Sequence, residues 1–268
     1  MRIDKEEIAL RAERLRKMYD IQSNGIADIF TFVNQQNIEL IRYPFGRGTV
    51  LGFSTVYEGK KIIVSNSSEI LAREIYTVAH ELGHILYDFA DNYCKIRIDR
   101  DGTGDVELEI SEERAFYFAD CLLMPKEKIL NFIRQNLKKK PEELRAINIV
   151  QMQLEFKVSF NALIKRMSDL GVIKDSKKVQ LYKERDFYTS AGLFGLLGAD
   201  EELLKPVERL VVPPKYIDYV MSNYENNYIP FSSLKKVLQM INMDVSELEE
   251  ERKEEEEETL DDVFGEYE

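Results

Sequence analysis

Leu71-Ala72-Arg73-Glu74-Ile75-Tyr76-Thr77-Val78-Ala79-His80-Glu81-Leu82-Gly83-His84-Ile85-Leu86-Tyr87 is the stretch on which the reading of this chain turns. Its apolar positions Leu71, Ile75, Val78, Leu82, Ile85 and Leu86 recur at helical spacing. Ser67 or Ser68 stands where an N-cap is expected, so a helix is predicted to run from there to about residue 87. Residues four apart lie one turn above another on the same helix face, which lets His80 and His84 offer imidazole nitrogens to a single ion. Glu81 sits beside that clamp, where a carboxylate can take a proton from a water held by the ion and return it to a leaving amine. Zinc suits the role because it lowers the pKa of a bound water toward about 7. A chance pair of surface histidines is the bland alternative, but these are the only two in the chain and both fall in the pattern. Gly83 allows another backbone to come close to this helix.

Two imidazoles do not complete a catalytic zinc site, which takes three protein ligands and a water. Cys94 and Cys121 lack any paired spacing, so a carboxylate between Asp88 and Asp120 is the economical third ligand. A helix predicted over 111–124 carries Glu112 on one face with Ala115, Ala119 and Leu122, small residues that would let it press against the motif helix. Glu113 instead shares a face with Phe116 and Asp120. Glu112 is favoured and Glu113 stays open, since either acid is also at home in a first turn through the helix dipole. Asp120 is a candidate acceptor for orienting a histidine, and Cys121 reads as core packing.

Outward from these helices the texture varies. Residues 4–20 read as an amphipathic helix, followed by a second over 26–36. Residues 38–43, 50–57 and 61–64 are short, branched and aromatic, separated by Gly-containing turns such as Glu58-Gly59-Lys60, and predict three strands of a small antiparallel sheet. Residues 91–108 read as a loop. Further helices are expected over 125–135, 142–155 and 160–170, the last capped by Ser159 and closed by Gly171. Residues 178–185 suggest a strand and 190–198 a glycine-rich turn. Pro213-Pro214 precedes two helices near 215–224 and 231–241. Domain boundaries are expected near 175 and 245, dividing the chain into 1–175, a mainly helical 176–245, and an acidic tail, 246–268.

The formal charge of −12 is mostly that tail: of 49 acids and 37 bases, 13 and 2 lie in 246–268, leaving 36 and 35 in the body. A neutral body argues against direct nucleic-acid binding through a phosphate footprint. The tail, with Glu254 to Glu258 unbroken, reads as a disordered solubilising segment, or alternatively as a docking element for a basic partner surface. An apolar fraction of 44% without any 20-residue apolar run gives no membrane span. The N-terminus carries no secretion signal and two cysteines make no disulfide framework, so a cytoplasmic location is expected.

The string Ala72–Leu86, followed by Glu112-Glu113-Arg114-Ala115-Phe116-Tyr117-Phe118-Ala119-Asp120-Cys121-Leu122-Leu123-Met124-Pro125, resembles the ImmA/IrrE metallo-endopeptidase family, gluzincin-like in its ligand set. Phe156-Lys157-Val158-Ser159 and the residues to Gly171 resemble a third segment of that family. The resemblance implies zinc ligands at His80, His84 and Glu112, with Glu81 as base, and a helix-turn-helix repressor as the protein substrate. Phe116 departs from it, standing where many members carry Asn, and Arg114 stands where many carry a second Glu. The expected fold is α+β, a small antiparallel three-stranded sheet on a helical zincin-like core. The competing reading is a non-catalytic DNA- or protein-binding regulator whose residues 142–170 form a helix-turn-helix with Asn161, Lys165, Arg166 and Ser168 toward DNA. A pseudo-enzyme holding zinc only for its fold is the third.

Overall fold

The computed structural model describes residues 3–89, 97–98, 106–243 and 245–246, and the fold is α+β. The chain divides into two compact units, Met1–Arg209 and Leu210–Glu268.

The first unit opens with α1 (Lys5–Met18), started by the Asp4 carboxylate accepting from the amides of Glu6 and Glu7. A short α2 (Ile29–Asn34) follows, capped in the same way by Asp28. Strands β1 (Ile38–Tyr43), β2 (Gly52–Tyr57) and β3 (Lys60–Asn66) come next, and the two-residue β4 (Arg97–Ile98) completes a sheet of order β1-β3-β2-β4. β2 and β3 form a hairpin whose turn residues Glu58 and Gly59 both have positive φ, 48° and 75°, the twist that a two-residue hairpin loop demands. The sheet is mixed rather than antiparallel, because β1 pairs in parallel with β3. The hairpin turn fixes β2 beside β3, and the loop from 44 to 51 is long enough to carry the chain past β3, so β1 takes β3's other edge.

Helix α3 (Leu71–Tyr87) packs on this sheet and is buried nearly all round. Neither Ser67 nor Ser68 caps it. Its first amide, on Leu71, donates to the Lys205 carbonyl at 2.9 Å, so a distant backbone segment does what a capping side chain would do. Ser67 donates its hydroxyl to the Arg209 carbonyl, and Ser68 accepts from the Gly46 amide. Gly52 of β2 lies against α3: a Cβ there would stand 2.6 Å from Thr77 Cγ2.

Helix α4 (Val106–Leu123) begins earlier than 111 and shortens the expected loop. It is followed by α5 (Lys126–Asn131), extended by a π-turn over Phe132–Asn136. Then come α6 (Ala146–Phe156) and α7 (Phe160–Asp169), the latter capped by Ser159 Oγ and followed by Gly171 at φ +67°. Residues 178–185 are not a strand; they lie in α8 (Asp175–Tyr188), and 190–198 is not a turn but contains α9 (Ser190–Leu196). The weak local signal is overridden by packing. Leu181, Leu193 and Phe194 enter the main core, and Glu184 of α8 accepts from the Ala146 amide at the start of α6 and pairs with Arg145. The boundary expected near 175 therefore falls inside the first unit.

The four α7 side chains expected toward DNA, Asn161, Lys165, Arg166 and Ser168, differ in exposure. Arg166 is buried, donating to the Met124 carbonyl and Cys121 Sγ, and the Asn161 side chain accepts from Arg185. Lys165 stays exposed beside Asp169.

The second unit holds α10 (Pro214–Glu225), with Pro214 in the first turn, and α11 (Phe231–Met240), packed through Val220, Leu234 and Leu238. The tail from 247 and Cys94 lie outside the described residues. No helix among the described residues is long and apolar enough to cross a membrane.

Candidate metal centre

α3 and α4 pack antiparallel, and this determines which side chains meet. Gly83 makes the close approach possible: a Cβ on it would lie 3.0 Å from Ala115 Cα and 3.3 Å from Ala115 Cβ. Moving along α3 while moving back along α4, Tyr76 meets Asp120, His80 and His84 meet Glu112, and Asp88 meets Ser111 and Arg114.

In the middle layer His80 Nε2 lies 3.1 Å from His84 Nε2, and the two carboxylate oxygens of Glu112 lie 3.2 Å from the two histidine nitrogens. Among the described residues these are the three side chains whose donor atoms gather, all within 4.8 Å of one another. A tetrahedral ion with ligands at about 2.0–2.1 Å separates neighbouring donors by about 3.3 Å. The observed spacings match that edge length, and two neutral nitrogens plus one carboxylate form a donor set zinc accepts. Glu113 is exposed and takes no part in the group. Asp91, Asp99, Asp101, Asp105 and the side chain of Glu107 lie outside the described residues.

Glu81 is 1% exposed. Its carboxylate accepts from Ser54 Oγ at 2.7 Å. Ser54 belongs to the inward face of β2, with Gly52 and Val56, so the strand's two-residue period aims a hydroxyl at α3. A hydroxyl on an otherwise apolar strand face is the sequence signal that could have found Ser54.

Asp120 does not orient a histidine: it accepts from the Tyr76 hydroxyl at 2.8 Å, one turn beyond the histidines. That position falls to Asp88, whose Oδ2 lies 2.6 Å from His84 Nδ1 and accepts from Ser111 Oγ at 2.6 Å, with Arg114 paired to its other oxygen. An acceptor on Nδ1 fixes the ring and leaves Nε2 turned toward His80 and Glu112. Asp88→Asn is expected to weaken metal affinity about 10- to 100-fold, read by competition with a chelator; an affinity unchanged within twofold contradicts an orienting role.

Burial alone would lower the basicity of His84, but hydrogen bonds to Asp88 and Glu112, with the charges of Glu81 and Glu112, outweigh it and raise its pKa from 6.5 to about 9. Burial pushes the Glu112 carboxyl upward, yet its bonds to His80 and His84 dominate and hold it well below the usual carboxylate range. His84 with its raised value stabilises the metal-free fold fully below about pH 6.5, and that contribution disappears as the pH rises through about 9. A metal must displace this proton, whereas Glu112 is already ionised. Apparent metal affinity should therefore rise about tenfold per pH unit from 7 to near 9 and then level off; chelator competition at constant ionic strength checks it, and a flat profile across that range contradicts it.

An HExxH helix crossed by a helix carrying a carboxylate, against a small mixed sheet, defines a metallopeptidase-type protein. The family model for the IrrE N-terminal-like domain of the peptidase M78 family matches residues 33–168, just over half of the chain, and the chain belongs to that family. The matched span contains β1 to α6 and all but the last residue of α7, and with them every residue of the cluster. No curated protein matches the chain.

Proposed function

We propose that this protein is a zinc-dependent endopeptidase that hydrolyses a peptide bond in a cytoplasmic protein client, a helix-turn-helix repressor being the client its family resemblance implies. The convergence of His80, His84 and Glu112 within 4.8 Å, with buried Glu81 next to His80, carries this reading. His80, His84 and Glu112 would hold the ion. Zinc, when bound, supplies Lewis acidity that polarises a carbonyl and makes water acidic near neutral pH. Glu81 would take the proton from the attacking water and pass it to the amine that leaves. Ser54 holds one oxygen of that carboxylate, keeping it aimed and hydrogen-bonded inside the fold. Asp88 keeps His84 in a single ring orientation.

Two substitutions test the ligand assignment. Zinc stoichiometry of the purified protein is expected to stay near one per chain in Glu113→Gln and to fall well below one in Glu112→Gln; equal retention in both overturns Glu112 as ligand. For the client, a small helix-turn-helix protein encoded next to this one should be cut by the zinc-loaded chain. Intact repressor after prolonged incubation at equimolar enzyme would reject the regulatory role. Cleavage of other peptides under the same conditions would leave the peptidase reading standing.

A further inference from the structure

Within the metal cluster the side chains differ sharply in access. His80, Glu81 and His84 are each 3% exposed or less, while Glu112 is 27% exposed at its side chain. Beside it, one turn along α4 on the same face, Phe116 is 45% exposed. Its ring lies 4.2 Å from that of His80 and is tilted by 47°. Tyr76 continues the surface, its ring 6.4 Å from Phe116 at 30° and its hydroxyl fixed by Asp120 at 2.8 Å. Single exposed aromatics are ordinary on protein surfaces. This one differs in touching a metal-cluster histidine and in flanking the accessible carboxylate.

We infer that Phe116, backed by Tyr76, is a specificity-determining residue: it forms an apolar shelf that takes a large apolar or aromatic side chain next to the bond to be cut. This deepens the peptidase proposal and rests on it. An aromatic ring left partly in water gains by covering its free face with another apolar group, and aromatic pairs add to that through offset or edge-on stacking. A serine or other small polar side chain covers little of the ring and gains correspondingly less.

The test uses the full-length, zinc-loaded Glu81→Gln protein, which binds without cutting. The probes are two fluorescein-labelled alanine heptapeptides, one with a central phenylalanine and one with a central serine. The phenylalanine peptide is expected to bind about tenfold tighter by fluorescence polarisation. Adding Phe116→Ala should reduce that ratio to below twofold, while Phe116→Leu, which keeps an apolar wall, should retain most of it. A ratio near one in the Glu81→Gln protein, or a ratio that Phe116→Ala leaves intact, overturns the shelf. Failure of the peptidase reading is seen separately: if the preference is present and depends on Phe116 but the wild-type chain cuts neither peptide nor any protein, the shelf stands as a binding site and hydrolysis does not.

Discussion

Glu81→Gln should lower the turnover of any peptide this protein cuts by about 10²- to 10⁴-fold while leaving its metal content unchanged. The substitution keeps the shape of the side chain and still leaves an oxygen to accept from Ser54 at the position now 2.7 Å away. It removes the ability to carry a proton, because an amide is not a base at neutral pH. None of the three gathered donor side chains changes, so zinc stoichiometry and thermal stability serve as controls. One further consequence separates a local charge effect from a fold defect. Glu81 is among the charges that raise His84, so its loss should shift the pH dependence of metal affinity toward lower pH. Activity within tenfold of wild type, with zinc bound, would remove Glu81 from the role of base.

Gly83→Ala is expected to destabilise the fold by about 1–3 kcal/mol and to weaken metal binding in the same protein. In an open helix the change would be favourable, by up to about 1 kcal/mol. Here the added carbon would sit 3.0 Å from Ala115 Cα and 3.3 Å from the Ala115 carbonyl oxygen, contacts that backbone atoms cannot relieve by rotating a side chain. α4 must back away, and Glu112, three residues from Ala115, moves with it. Gly195→Ala in α9 makes the contrasting control: nothing lies within 4 Å of its added carbon, so stability should hold or rise slightly. Denaturant unfolding and chelator competition measure the two effects. If Gly83→Ala were as benign as Gly195→Ala, the close packing of α3 on α4 would not be what holds the cluster together.

Much of the candidate site is legible along the chain because its elements are local. His80, Glu81 and His84 lie within one helical turn, and a helix fixes their relative directions without help from the rest of the fold. Glu112 could be favoured over Glu113 from its small-residue face, but only the antiparallel crossing of α3 and α4 opposes it to both histidines. The same crossing decides the fates of Asp88 and Asp120. Both are acids at helical spacings that suit a metal site. Asp88 lands beside His84 and Asp120 beside Tyr76, because each step up one helix is a step down the other. Ser54 was missed altogether, since a strand's inward face can be read from alternation but its target cannot.

What the sequence by itself determined is periodic and short-range: the helix of the histidines, the hairpin of β2 and β3, the cap at Ser159, and the gathering of most charge in the tail. What only the tertiary structure decided depends on contacts between distant segments. β1 lies parallel to β3, the start of α3 is satisfied by the Lys205 carbonyl, and residues 178–185 are helical because Leu181 and Glu184 find partners in the first unit. Local periodicity reports which face of an element is apolar, but which element covers that face is set by packing, and at Gly83 a single missing side chain lets Glu112 reach the two histidines.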